Sequence, residues 1–432
     1  MKKVLIITYY WPPSGGAGVQ RWLKYSKYLP EYGWEPVILT VDPKYAAYPQ
    51  QDKDLINDIP QNLEIHYTKA STWISWVYKN ITGKEEIPYG GFANEPDPGF
   101  LQKIFRFIRG NFFLPDARAG WNRYALRKGL EIIKSSQIGT IITTSPPHST
   151  QLIGLKLKNK LNIKWIADLR DPWTDIYYRG EMYESYLAKI INVSLESRVL
   201  NSADRIIATC NSTRDLFRSK LPVNKSREKI LTITNGFDEE DFAGKDKIKP
   251  DRFLITYLGT FAQNYNIDVL IRASQNLYNQ KNIKVNLRFI GKTDERSAGN
   301  LKEKDFLSAE ILPYVEHKKA LEFLLRAAAL LIVIPSRNKA EEMIPGKLFE
   351  YIASGRPVIA IGPKEGDVAE ILKTTTSGRI FENEDYKELE DYIVEIFDNY
   401  NRGSFEPDSI SVAQFSRRNL AREIGSVLDS LE

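Results

Sequence analysis

One rhythm runs through the sequence: short uninterrupted apolar runs, most of them separated by stretches of helical periodicity. The first run is Val4-Leu5-Ile6-Ile7, and others fall at 36–39, 140–142, 164–167, 205–208 and 230–233. Apolar runs without polar alternation suit strands buried on both faces, and strands separated by helices pair in parallel. The rhythm pauses at 238–251, a charged linker-like stretch, and restarts with runs at 253–257, 285–290, 330–334 and 357–360. A chain of 432 residues is too long for one ordinary domain. The pattern predicts an α/β protein with two doubly wound parallel-sheet domains, residues 1–240 and 241–410. A C-terminal helix over 411–432 has helical spacing that suits closing the chain on either domain, packing back on the N-terminal one among them.

Composition removes several classes. Hydrophobic residues at 42% and charged residues at 27% match a globular protein, and 12% aromatics exclude a disordered chain. The longest apolar run, 327–334, falls well short of the roughly 20 residues that span a bilayer. The basic start Met1-Lys2-Lys3 is followed by an apolar run ending at Ile7, too short for a signal-peptide core. The single cysteine, Cys210, forms no intrachain disulfide and fits a reducing cytoplasm. His66, His148 and His317 lie far apart, too few ligands for a Cys/His zinc site, so no metal is expected. A net charge of +5 is too mild to argue for nucleic acid. The excess is local: residues 100–134 hold eight Lys/Arg against two acids.

Open parallel sheets bind ligands at the carboxyl ends of their strands, so the chemistry-bearing segments are sought there. Ser14-Gly15-Gly16-Ala17-Gly18 follows the first strand, and its glycines let backbone N–H groups approach a ligand. Arg21 stands where a dinucleotide fingerprint requires its third glycine, and no Gly-Lys-Ser/Thr completes a Walker A loop. A tight turn and a ligand-facing loop both fit. Thr143-Thr144-Ser145-Pro146-Pro147-His148 places a histidine at a strand end, where it can exchange a proton near neutral pH. A helix-start histidine bonded to its own turn is the alternative. Asp168-Leu169-Arg170-Asp171 concentrates charges that are costly to bury unless paired or facing water or ligand. A structural Asp–Arg pair and a ligand-facing pair both satisfy that condition.

The richest segment runs from Glu342 through Pro345-Gly346-Lys347 to Glu350 and Gly355-Arg356-Pro357. Pro345 suits a helix start and Gly355 its end, so Glu342 lies in the preceding loop and Glu350 inside the helix. The two carboxylates suit different hydroxyl sets of one ligand. The N–H groups of Gly346 and Lys347, with the Lys347 ammonium, suit a phosphate. The competing reading is a solvated, charged helix face.

Glu-x7-Glu followed by a helix ending Ala-x-Gly-x-Pro-Val resembles the donor-binding segment of the family 4 glycosyltransferases. These have the GT-B fold, two Rossmann-like domains facing an interdomain cleft. Agreeing pieces are the 15–18 loop, Asn235-Gly236-Phe237-Asp238, Tyr257-Leu258-Gly259, Pro335-Ser336, and Gly366 to Glu370 with Ser377-Gly378. The resemblance implies retaining transfer of a sugar from a UDP- or GDP-sugar, with neither cofactor nor obligatory metal. The acceptor would be a glycan or lipid-linked molecule of cell-surface polysaccharide or glycoconjugate synthesis. By position, Glu350 would hold the ribose hydroxyls, Glu342 the hydroxyls of the transferred sugar, and Gly259 would border the donor. His148 would be the catalytic-site histidine. Gly15, Gly16 and Gly18, with Asp168 and Arg170, would face acceptor and phosphates. The sequence departs from the family where an Arg and a Lys neutralise the leaving diphosphate: Thr260 and Tyr265 stand there. Lys347, Arg337, Lys339 and Lys292 are the candidate replacements, Lys347 first. That departure keeps a catalytically weak nucleotide-sugar binding protein open as an alternative, beside a GT-B nucleotide-sugar epimerase.

Residues 100–113 interleave Phe, Ile and Leu with Lys103, Arg106 and Arg109, the composition of an interfacial amphipathic segment, and residues 73–79 have similar character. This suits peripheral docking on an anionic membrane, the inner face of the plasma membrane for a cytoplasmic protein. A helix packed on its domain with a basic outer face is the other reading.

Overall fold

Each apolar run of the sequence is a strand of one of two parallel sheets in the computed structural model. The structure describes residues 1–49, 51–71, 99–222, 226–244, 248, 250–262, 265–293, 305–335, 343–403 and 409–432. Glu342, Arg337, Lys339, and the 73–79 segment lie outside the described residues.

The first unit comprises Met1–Thr234 and Arg417–Glu432. Its strands are β1 (Lys2–Ile7), β2 (Trp34–Val41), β3 (Glu64–Thr68), β4 (Thr140–Ser145), β5 (Lys164–Leu169), β6 (Arg205–Ala208) and β7 (Ile230–Thr232), in the order β3-β2-β1-β4-β5-β6-β7. The intervening helices are α1 (Ala17–Tyr28), α2 (Phe100–Phe112), α3 (Asn122–Ser135), α4 (Ser149–Leu161), α5 (Tyr186–Ser202) and α6 (Asn211–Lys220). Val4, Leu5, Ile6 and Ile7 are completely buried, as expected of a central strand covered on both faces.

The second unit, Asn235–Ser416, repeats the plan. Strands β8 (Leu254–Leu258), β9 (Val285–Ile290), β10 (Leu307–Leu312), β11 (Ala329–Val333), β12 (Val358–Ile361) and β13 (Gly378–Phe381) run in the order β10-β9-β8-β11-β12-β13. Helices α7 (Asp268–Lys281), α8 (His317–Leu325), α9 (Lys347–Ala353), α10 (Asp367–Thr375), α11 (Tyr386–Arg402) and α12 (Ser409–Ala413) connect and follow them.

The segment read as one C-terminal helix is two. After α12 the chain bends, and α13 (Arg417–Asp429) buries Leu420, Ile424 and Leu428 in the core of the first unit. Arg417 Nη2 donates to Gln20 Oε1 at 2.7 Å, and Trp34 Nε1 to Asp429 Oδ1 at 3.0 Å. Among the described residues, no helix is long and apolar enough to cross a membrane.

Both strand orders reverse direction once, between β1 and β4 and between β8 and β11. At such a switch point the loops leaving two adjacent strands diverge and open a crevice for a ligand. In the first unit those loops are 8–16 and 146–148; in the second, the β8 loop begins at Gly259.

Candidate active site

In the first unit, β1 leads through the glycine loop into α1. Gly16 adopts φ +102°, a conformation that strains other residues. Gly18 serves a different need: a side chain there would occupy the space of the Arg170 guanidinium. Arg170 donates through Nε to Ser145 O at 3.0 Å and through Nη2 to Pro146 O at 3.1 Å. The glycine loop, Arg170 and the 145–148 loop are therefore one packed assembly, and Gly15 precedes it in the same turn.

Asp168 faces inward. Fully buried, its carboxylate accepts from Arg21 Nη2 at 3.0 Å, Trp22 Nε1 at 2.7 Å and Thr144 Oγ1 at 2.7 Å. Arg21 extends the network to the carbonyls of Thr234 (2.6 Å) and Ile233 (3.0 Å). The geometry gives Asp168 a structural partner, Arg21 rather than Arg170, and pins α1 to β5.

His148 precedes α4 and is 8% exposed. Its ring stacks on Trp173 at 5.0 Å and 13°, and neither ring nitrogen has a hydrogen-bond partner. It is not a helix-start histidine bonded to its own turn. Burial, and then the nearby cations Arg179, Arg170 and Lys220, push its pKa down from 6.5 to about 3. The imidazole is therefore neutral at physiological pH, with one nitrogen able to donate and the other to accept. It lines a cavity of about 80 Å³ walled also by Arg109, Arg118, Trp173, Arg179 and Met182. The basic composition of 100–134 was a signal for Arg109 and Arg118. Nothing in the sequence pattern singled out Arg179.

In the second unit, β8 ends at Leu258, and Gly259 follows with φ +109°, its N–H bonded to Ile290 O at 2.8 Å. The β8–β11 pairing stops at Thr256, and side chains of α9 take over beyond it. Lys347 Nζ donates to Leu258 O at 2.8 Å, and Leu258 N–H donates to the Tyr351 hydroxyl at 2.8 Å. Lys347 Nζ also lies 3.4 Å from the Tyr257 ring centroid. Burial pushes its pKa well below the ordinary lysine value. Gly346 immediately precedes α9, and Gly355 ends it with φ +65°. Glu350 lies in the same helix, partly buried, with His317 Nδ1 3.9 Å from its Oε1. His317 Nε2 is in turn 3.2 Å from Asp241 Oδ2. Lys292 is exposed after β9, its carbonyl accepting from Phe261 N–H at 2.8 Å. Gly259 and Lys347 thus meet at the end of β8, Glu350 is on the same short helix as Lys347, and Lys292 follows the neighbouring strand. The contact of His317 with Glu350 was not foreseen, because nothing in the sequence links residues 33 apart.

The family model described as Glycosyl transferases group 1 matches residues 238–405, and that described as Glycosyltransferase Family 4 matches residues 89–241. The protein is a glycosyltransferase. It belongs to the family 4 type, whose two models between them span residues 89–405. Among solved structures, it resembles a sucrose-phosphate synthase from Thermosynechococcus elongatus at TM-score 0.61 and 15% identity, covering 100% of this chain and 99% of that one. It also resembles Anabaena HepE in complex with UDP-glucose, at TM-score 0.59 and 12% identity, with 100% of both chains covered. The lipopolysaccharide outer core galactosyltransferase WaaB matches at TM-score 0.55 and 10% identity, over 100% and 99% of the two chains. These likenesses establish the fold, the two-domain α/β GT-B fold. No curated protein matches the sequence.

Proposed function

We propose that the protein transfers a sugar, with retention of configuration, from a UDP- or GDP-sugar to a glycan or lipid-linked acceptor of cell-surface polysaccharide or glycoconjugate synthesis. The observation that carries the donor reading is the placement of Lys347 beside Gly259 at the end of β8, with Glu350 on the same helix. In the reaction, the bond between the anomeric carbon and the diphosphate oxygen breaks. The acceptor oxygen bonds to that carbon, and the acceptor proton ends on the leaving nucleoside diphosphate.

Glu350 holds the ribose hydroxyls and Glu342 the hydroxyls of the transferred sugar. Lys347 meets the charge that develops on the diphosphate, supplying from α9 what the family supplies from the positions of Thr260 and Tyr265. Lys292 is the second cation near that strand end, and Arg337 a further candidate. His148 and the Gly15–Gly18 loop serve the acceptor side. No resident metal or cofactor takes part in this proposal. The UDP-glucose in the HepE structure supports a nucleotide-sugar donor by analogy.

Glu350→Ala is expected to weaken donor binding through lost charge-assisted hydrogen bonds, each worth about 1.5–3 kcal/mol. Isothermal titration with UDP- and GDP-sugars reads this directly, and unchanged affinity would remove the ribose assignment.

We further propose that α2 docks on an anionic membrane. Arg106 of this helix turns inward, with Nη1 3.6 Å from Glu181 Oε2, while Phe100, Ile104, Phe107 and Phe112 remain exposed. The outward side therefore presents apolar groups among Lys103 and its neighbours, as interfacial helices do. Sedimentation with phosphatidylglycerol vesicles at physiological salt should carry the protein down. Protein left in the supernatant would sink the membrane reading.

A further inference from the structure

The cavity beside His148 and the apolar surface next to it share two chain segments. Arg109, Arg118 and Arg179 line the cavity, together with Phe113, Trp173 and Met182. Its two carboxylates are already engaged. Asp116 accepts from Ser149 N–H at 2.7 Å and Ser149 Oγ at 2.9 Å, which ties it to the start of α4. Glu184 accepts from Arg179 Nε at 2.6 Å and from Asn192 Nδ2 at 3.4 Å. Arg118, 6% exposed, donates from Nη2 to Ala47 O at 2.9 Å but has no partner for Nε. The two nitrogens of His148 have none either. A buried polar atom without a partner costs about 1–3 kcal/mol, which oxygen atoms of a ligand would recover.

The exposed apolar residues sit on two segments that also line this cavity. Ser185 N–H donates to Asn111 Oδ1 at 2.7 Å, and Asn111 Nδ2 donates to Tyr183 O at 3.1 Å. Gly110 permits this approach, because a Cβ there would run into the Met182 carbonyl. The end of α2 is thus fastened to the segment entering α5. Arg109, Gly110, Met182 and Glu184 line the cavity. Their neighbours Phe107, Phe112 (72% exposed), Tyr183, Tyr186 (81%) and Leu187 (66%) face solvent. Single exposed apolar residues are ordinary on protein surfaces, but five on two fastened segments are a local concentration. A cavity lined by three arginines, with exposed apolar residues next to its lining residues in the chain, matches a molecule with an anionic head and an apolar chain. Guanidinium forks match phosphate oxygens in particular.

We propose that the cavity receives the phosphate-bearing head of an amphiphilic acceptor whose apolar chain lies along Phe107, Phe112, Tyr183, Tyr186 and Leu187. The proposal rests on the glycosyl-transfer reading and narrows its acceptor to a lipid-linked phosphate ester rather than a free glycan.

Titration calorimetry on the full chain tests it with farnesyl phosphate, farnesol and inorganic phosphate as probes and UDP as a separate donor-site probe. Farnesyl phosphate should bind at least tenfold more tightly than either farnesol or inorganic phosphate. Arg109→Ala should weaken farnesyl phosphate at least tenfold and leave UDP binding unchanged, which also reports an intact fold. Leu187→Ser combined with Tyr186→Ser, both at exposed positions, should weaken farnesyl phosphate without altering inorganic phosphate. Farnesol binding as tightly as farnesyl phosphate would overturn the proposal. So would wild-type affinity in both variants, or displacement of farnesyl phosphate by a soluble, phosphate-free oligosaccharide. If UDP fails to bind while farnesyl phosphate binds as described, the donor reading falls and the amphiphile site stands.

Discussion

Lys347→Met is expected to lower kcat about 10²–10³-fold, the usual cost of removing one preorganised group that stabilises developing charge. Methionine keeps an unbranched side chain of similar bulk, one atom shorter, while deleting the charge. In the protein described here the amine is fastened to the Leu258 carbonyl at 2.8 Å and lies against Tyr257, and burial drives its pKa well below the ordinary value. A diphosphate placed beside it favours the charged form, because a nearby anion raises a lysine pKa. A donor that raises this pKa favours the protonated form, so donor affinity should fall as pH rises through the lowered pKa of the free protein. The methionine variant should lose that pH dependence. A kcat within threefold of wild type would place the neutralising cation elsewhere, at Lys292 or Arg337.

His148→Ala is expected to slow turnover by about 10²-fold, the lower end of the range for a positioned proton-transfer group. A base whose pKa is near 3 is weak, however well placed, which holds the effect to the lower end. For the same reason this residue should contribute no inflection to the pH–rate profile between pH 5 and 8. Its burial also makes a prediction for stability. The unfolded chain protonates this histidine below about pH 6.5, the folded chain only below about 3, so the unfolded state binds more protons in between. The stability contributed by the neutral ring is fully present above pH 6.5. It is lost as pH falls towards 3, by about 1.4 kcal/mol per unit. Denaturant titrations of wild type and His148→Phe should diverge in that window, the wild type falling more steeply. A turnover loss below tenfold, with this stability difference present, would make His148 a packing residue only.

How much of this was legible depended on what covers each element. Central strands such as β1 and β11 are buried on both faces, so they must be continuous apolar runs, and the runs gave them away. The strands without such a run are β3, β10 and β13, all at sheet edges, where half-exposed positions admit Glu64, His66, Glu310 and Arg379. The glycine loop, the strand-end histidine and the Lys347–Glu350 helix were readable because each sits where a parallel sheet binds ligands. Long-range pairing was not readable. Arg21, noticed only for not being glycine, turns out to bridge Asp168 to the chain at Ile233 and Thr234. The basic run at 100–134 divides between an inward Arg106 and Arg118 and an outward apolar side of α2, a partition set by tertiary packing.

The central claim, sugar transfer from a nucleotide donor, is tested most directly by nucleotide release. The protein would be incubated with UDP- and GDP-sugars, with and without a lipid and glycan extract of the source cells, and the product's anomeric configuration read by NMR. Release that depends on the extract, with retained configuration, is the predicted result. Donor isomerised without release, release indifferent to the extract, or an inverted product would contradict it.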